Sequence, residues 1–329
     1  RTSIALDVIL NQKDKDVICI YCFVGGAYSN FEKIIHKLVE KEAMSYTIAV
    51  CAFASSSAAE QFVCPYTAAS LGEYFMHKGK DVLVVFDDLT KHAWVYRQIS
   101  LLLERSPGRE AYPGDIFFIH SQLMERAGRL KEQIGGGTMT FLPIVETLQG
   151  DITGYIQSNI ISMTDGQIYL SSNLFHEGFK PAIDMGLSVS RIGPRVQPHI
   201  LRGLSKGLRL EYLRYREMLR LRRLRTRFSS QTQEIIRKGE ILEELFIQEN
   251  FRPLSLAEEV ILFYIFTKKI LEVIPRDVLI EFKQDVFSFF TEHHPEIVRK
   301  IEQEESLSDE LKKALDKAIV EYFRARKMV

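Results

Sequence analysis

Asp81-Val-Leu-Val-Val-Phe-Asp87-Asp88 is an apolar run closed by two carboxylates, and it reads as a buried strand. Outward from it, strand and helix patterns alternate over the first half of the chain. Val17–Val24 is a second apolar strand, followed by helical spacing over Asn30–Lys41 with Phe31, Ile34, Ile35 and Leu38 apolar. Tyr46–Ala52 is strand-like, Ser56–Lys78 reads as a helix broken at Pro65, and Thr90–Leu103 is helical. Ile116–His120 and Thr138–Val145 are expected as strands on either side of a helix and the Gly135-Gly136-Gly137 turn. This alternation predicts an α/β layer fold with a mostly parallel sheet.

After Pro198 the pattern changes. Leu, Arg, Glu and Lys dominate, and helical stretches over 200–227, 231–248, 255–272, 276–291 and 308–325 predict an all-α helical bundle. The expected domains are 1–197 and 198–329, which agrees with 329 residues at roughly 150 per domain. Hydrophobic residues make up 46% and charged residues 26%, which excludes disordered and low-complexity classes. The 43 basic and 43 acidic residues cancel, so the chain is not a generally basic nucleic-acid binder. Its apolar runs fall well short of the ~20 residues of a membrane span, and we read no signal peptide. The chain starts at Arg1 without Met and reads as a fragment whose beginning is missing. Four cysteines fit a reducing compartment. Cys19-Ile-Tyr-Cys22 has redox or half-zinc spacing, but it lies in the Val17–Val24 strand with no second pair to complete a zinc site, and plain core packing is the simpler reading.

In a P-loop nucleotide hydrolase, a strand like Asp81–Asp88 places one carboxylate near a nucleotide-bound Mg²⁺; a solvated strand end is the simpler alternative. Arg1-Thr2-Ser3, leading into Ile4, Ala5 and Leu6, reads as the tail of a Walker A loop. A cation and a hydroxyl at a helix start suit phosphate and Mg²⁺. The motif has Lys where this chain has Arg1, and the two are not interchangeable.

Longer motifs are more specific: Tyr96-Arg-Gln-Ile-Ser-Leu-Leu-Leu103, Pro107-Gly-Arg-Glu-Ala-Tyr-Pro-Gly-Asp115, Thr164-Asp-Gly-Gln-Ile168 and Pro181-Ala-Ile-Asp-Met-Gly-Leu-Ser-Val-Ser-Arg191. With these the chain resembles the alpha subunits of F-type ATP synthases, from the end of Walker A to the C-terminus. The resemblance implies a RecA-like P-loop domain followed by a helical domain. It implies an alpha-type subunit, itself non-catalytic, in a ring alternating with beta subunits around a central (gamma) stalk and tied to a peripheral stalk. The ring would meet the membrane only through the complex, on the cytoplasmic face of a bacterial membrane or the equivalent organelle face. ATP or ADP with Mg²⁺ is the implied ligand. Arg191 matches the family's arginine finger, lent to the neighbouring beta site, and Ser162 and Val189 match positions at that interface. Thr2 matches the Mg²⁺-binding hydroxyl and Asp87 the Walker B carboxylate, while Arg1 stands at the phosphate-binding cation. Phe175 and Pro181 match residues around the base, Gln248 a glutamine that reaches the adenine, and Asn250 a second glutamine. Lys180 replaces a common arginine there.

Two departures stand out. Where the family reads Gly-Gln-Lys after its first strand, this chain reads Gly25-Gly26-Ala27, and a beta subunit would carry its general-base glutamate at position 26. Gly26 has no side chain to orient a water, so independent hydrolysis is not expected. The second departure is Leu219-Arg-Leu-Arg-Arg-Leu-Arg-Thr-Arg-Phe228, where the family has a small-residue turn. Arg202, Lys206, Arg209, Arg216, Arg220, Arg223 and Arg227 recur at helical spacing, and one continuous helix would set them on a single face. Leu201, Leu204, Leu208, Tyr212, Tyr215 and Leu219 would share another. The basic face reads as a solvated amphipathic surface or as a complement to an acidic stalk; nucleic acid is the weaker reading. Pro194-Arg195 replaces the small residues that follow the finger in the family. His120, His176, His199, His293 and His294 show no metal-ligand spacing and read as structural or surface groups, and Glu302–Glu305 with Lys312 and Lys313 reads as a solvated face. The alternative to a working alpha subunit is a divergent paralogue that binds partners without turning over nucleotide.

Overall fold

The computed structural model describes residues 1–222, 230–304 and 306–326. Arg223, Arg227 and Glu305 of the surfaces above lie outside the described residues. The chain divides into two compact units, Arg1–Gln167 and Ile168–Val329. The division precedes the change of composition at Pro198, because Leu174, Phe179 and Ala182 share a core with Leu208, Tyr212, Tyr215 and Leu242.

The first unit is built on β1 (Val17–Val24), β2 (Thr47–Ala52), β3 (Asp81–Asp87), β4 (Gly128–Arg129) and β5 (Thr138–Pro143). Among the described residues they form one sheet in the order β2-β1-β3-β5-β4. The pairings are parallel except β4 with β5. The two most apolar runs, β1 and β3, lie side by side at the centre, as burial on both faces requires. Their register runs from Val17 opposite Asp81 to Phe23 opposite Asp87. This sets the ends of both strands level, at the edge where ligands bind in open parallel sheets.

Helices α1 (Thr2–Leu10), α2 (Tyr28–Glu40), α3 (Ala58–Met76), α4 (Leu89–Leu102), α5 (Ile116–Met124) and α6 (Tyr155–Met163) complete the unit. The expected break at Pro65 is absent; α3 runs through it. A proline forfeits one backbone hydrogen bond, but Cys64, Ala68, Ala69 and Met76 are buried in the same core as β1 and β3. A capping box of Ser57 and Glu60 fixes the start of α3. Gly72 lets α3 approach the sheet, since a Cβ there would stand 2.5 Å from the sulfur of Met139. The expected strand Ile116–His120 is instead the first half of α5. Ile116, His120, Leu123 and Met124 are its buried stripe, at the i, i+4, i+7, i+8 spacing of a helix. Cys19 and Cys22 sit three residues apart on a strand and so face opposite sides of the sheet. Burial pushes the Cys19 thiol up to about 12, and Cys22 packs against Cys64, sulfur to sulfur at 3.7 Å.

The second unit begins with the short α7 (Ser172–His176). It continues through α8 (His199–Ser205), α9 (Leu208–Arg222), α10 (Ser230–Phe246), α11 (Leu256–Thr267), α12 (Arg276–His293), α13 (Pro295–Gln303) and α14 (Asp309–Ala325). Helix α11 is nearly continuously apolar and supplies Val260, Ile261 and Ile265 to the core at no more than 1% exposure. Two expectations are corrected here. The stretch 200–227 is not one helix: Gly207, at φ +94°, separates α8 from α9. Helix α13 had no counterpart in the sequence reading; two buried isoleucines, Ile297 and Ile301, hold it. Close packing of α10 on α9 rests on Gly239, where a Cβ would lie 1.9 Å from the Tyr215 ring.

Candidate functional site

The ends of α1, β1 and β3 converge on a cavity of about 350 Å³ in the first unit. Thr2, the first residue of α1, donates its hydroxyl to Asp87 Oδ2 at 2.8 Å. Tyr21 donates to the same oxygen at 2.5 Å. Burial, and next the neighbouring carboxylate, hold the Tyr21 hydroxyl protonated well above its ordinary range. Asp88 has a different job. Its Oδ1 accepts the Lys91 backbone N–H at 2.8 Å and caps α4. Its Oδ2 meets the Lys91 ammonium at 3.3 Å. Burial raises the Asp88 pKa against the pull of Lys91. Of the two terminal carboxylates, Asp88 therefore anchors a helix and Asp87 is paired with the threonine hydroxyl. A hydroxyl and a carboxylate oxygen 2.8 Å apart are the hard donors that Mg²⁺ takes, so the residues fit such an ion.

Arg1 is turned to a local partner. Its guanidinium donates to Glu146 Oε1 at 2.8 Å and to the Val145 carbonyl at 3.2 Å. At the end of β1, Gly26 faces the Phe23 ring, and a Cβ on Gly26 would lie 2.2 Å from Phe23 Cζ. Phe23 packs tilted against Phe31, ring centroids 5.5 Å apart, and Phe31 packs edge-on to Phe53 at 5.4 Å. An aromatic cluster thus occupies the space that a longer side chain at 26 would need. The sequence reading missed six residues of this cavity, among them Phe23, Lys33 and Glu146. Gly26 was the available signal for Phe23, since a lost side chain beside a bulky neighbour implies filled space. Neither Lys33 nor Glu146 carries a motif.

Phe175, Pro181, Gln248 and Asn250 lie in the second unit. Phe175 is 55% exposed on α7, with the Lys180 ammonium 4.9 Å from its ring centroid. Lys180 precedes Pro181 through a cis peptide bond, and its carbonyl accepts the Gln248 N–H at 2.8 Å. These contacts bring Phe175, Pro181 and Gln248 together. The Gln248 side-chain amide donates to the Arg252 carbonyl at 2.8 Å, and Asn250 is exposed beside it. Val189 and Arg191 are exposed just after a loop tied by Asp184, whose Oδ1 accepts from Gly186 at 2.8 Å and Leu187 at 3.1 Å. Ser162, in the first unit, is exposed near the end of α6 and donates to the Asn159 carbonyl at 2.7 Å.

The basic face is divided. Arg202 belongs to α8, Lys206 to the turn, and Arg209, Arg216 and Arg220 to α9. Arg202 donates to the carbonyls of Arg195 and Gln197, Arg209 to that of Ser188, and Arg216 pairs with Glu177 and Glu243. His120 is fully buried and lies 3.3 Å from His92 Nδ1, nitrogen to nitrogen. No helix among the described residues is long and apolar enough to cross a membrane.

Comparison with known proteins agrees with this architecture. Residues 1–190 match the ATP synthase alpha/beta family, nucleotide-binding domain, and residues 197–322 match the ATP synthase alpha/beta chain, C terminal domain. An ATP synthase subunit alpha of Clostridium botulinum is 47% identical over 322 residues, covering 98% of this chain and 64% of the relative. That of Clostridium kluyveri is 44% identical over the same length, with the same coverage of each chain. The chain thus spans a little under two thirds of the curated relatives it matches. With both domain matches in sequence order and these relatives at hand, the chain belongs to the ATP synthase alpha/beta family.

Proposed function

We propose that the chain serves as a non-catalytic alpha-type subunit in the F1 sector of a rotary ATP synthase. It alternates with beta subunits in a hexameric ring around the central stalk, contacts the peripheral stalk, and meets the membrane only through the complex. ATP or ADP with Mg²⁺ occupies the cavity of the first unit. Thr2 and Asp87 hold the metal, whose charge neutralises the phosphates. Phe175, Pro181, Gln248 and Asn250 serve the base, and Ser162 and Val189 the interface. Arg191 acts on the adjacent beta site, where a fixed guanidinium stabilises charge on the transferring phosphoryl group.

The observation that carries the non-catalytic reading is Gly26 beneath Phe23. Activating a water needs a side chain within hydrogen-bond reach, and an aromatic ring stands at that position. The test is steady-state ATP hydrolysis by the full-length chain assembled with its own beta and stalk subunits, comparing wild type with Arg191→Ala. A loss of about two orders of magnitude or more is expected, since such fingers contribute roughly 10³–10⁵ in rate. Equal activity would sink the role of Arg191. The Arg1–Glu146 pair favours a second reading, a paralogue that keeps partners but has given up nucleotide. Stable assembly with beta and no retained ATP would select it.

A further inference from the structure

Six charged side chains line the cavity of the first unit: Arg1, Lys33 and Lys91 against Asp87, Asp88 and Glu146. Four of them are paired off. Arg1 meets Glu146 at 2.8 Å and Lys91 meets Asp88 at 3.3 Å. Among the described side chains, Asp87 accepts hydrogen bonds from the hydroxyls of Thr2 and Tyr21, and the Arg1 amino group acts on it electrostatically. Lys33, exposed in the second turn of α2, makes no ion pair or hydrogen bond among the described residues. One acid and one base on the walls of this cavity therefore have no side-chain ion-pair partner among the described residues. That is the charge pattern of a site for a metal-complexed polyphosphate, with the acid toward the cation and the base toward the phosphate oxygens.

We propose that Lys33 is the phosphate-binding cation of this cavity, in the role that Arg1 gives up to Glu146. Lysine suits the position as a slim point charge on a flexible stem that reaches from a helix surface. The inference rests on the proposal that this cavity takes Mg-nucleotide, and the experiment separates the two.

Equilibrium binding of Mg-ATP is measured for the full-length chain as wild type, Lys33→Gln and Lys33→Arg, with thermal midpoints recorded alongside. Lys33→Gln should weaken binding about tenfold, as expected for losing a charged hydrogen-bond donor, with an unchanged midpoint. Lys33→Arg, which keeps the charge, should stay within about threefold of wild type. Wild-type affinity in Lys33→Gln would overturn the role of Lys33 and leave nucleotide binding intact. Equal weakening in both variants would overturn it too, since charge would then not be what matters. Absence of Mg-ATP binding by the wild type would overturn both this inference and the nucleotide reading on which it rests.

Discussion

Two neighbouring strands of one sheet end in opposite chemistry. β3 ends in Asp87 and Asp88, both buried, one paired with hydroxyls and the other capping a helix. β1, level with it in register, runs out into Gly25 and Gly26, the second of them under a phenylalanine ring. The β3 side offers a hydroxyl and a carboxylate of the kind a cation takes, and the β1 side carries no polar side chain at Gly26. On the proposed reading, metal binding and water activation are separable properties of adjacent strand ends.

The largest effect expected is on the β3 side, in acid. His92, one turn into the helix that Asp88 caps, packs against His120 in the core. Burial lowers His92 from 6.5 to about 4 and His120, also beside His92, to about 3. The unfolded chain therefore binds protons that the folded chain refuses. Stability is fully present above pH 6.5 and is lost as pH falls from there toward about 4. For His92 alone the loss is on the order of 3 kcal/mol. Urea midpoints of the full-length chain between pH 7 and pH 4.5 should show it, and His120→Leu should flatten the slope; an unchanged slope would rule out the pair as the cause.

Next in size, Asp87→Ala should weaken Mg-ATP binding by about 30-fold, in the range for disturbing a metal-binding partner, and this difference should vanish when Mg²⁺ is chelated. A loss that persists without metal would mean that Asp87 acts on Tyr21 and Thr2 alone. The last test addresses the β1 side. Gly26→Gln should destabilise the chain by about 1–3 kcal/mol through overpacking against Phe23. Adding Phe23→Ala should recover part of the loss by opening space. If Gly26→Gln leaves the denaturation midpoint unchanged, the ring is not the barrier it is taken to be, and the contrast between the strand ends weakens.

Long apolar runs and chain-wide alternation were enough to read the α/β core, because β1 and β3 need apolar residues on both faces. Shorter segments were ambiguous. Ile116-Phe-Phe-Ile-His120 fits a strand as well as half a helix, and only the continuation to Leu123 and Met124 decides. Pro65 and Gly207 show the limits of local rules: tertiary packing carried a helix through the proline, while a single glycine ended one in a run rich in helix formers. In the candidate site, Thr2 and Asp87 were legible through motif position. The pairing of Arg1 with Glu146 was not, since it joins residues 145 apart that meet only once the sheet is formed. Lys33 escaped notice because it falls between the apolar positions Phe31 and Ile34 of α2 and reads as ordinary solvent-facing charge.

The ring over Gly26 also bears on how the chain can change over generations. Placing a glutamine or glutamate at 26 alone meets the phenylalanine, and removing Phe23 alone opens a hole among Phe31 and Phe53. Each first step back is unfavourable, and only the two together restore a side chain facing the cavity. Positions 23 and 26 are therefore coupled, and a sequence with Phe23 is held at a glycine there as by a ratchet.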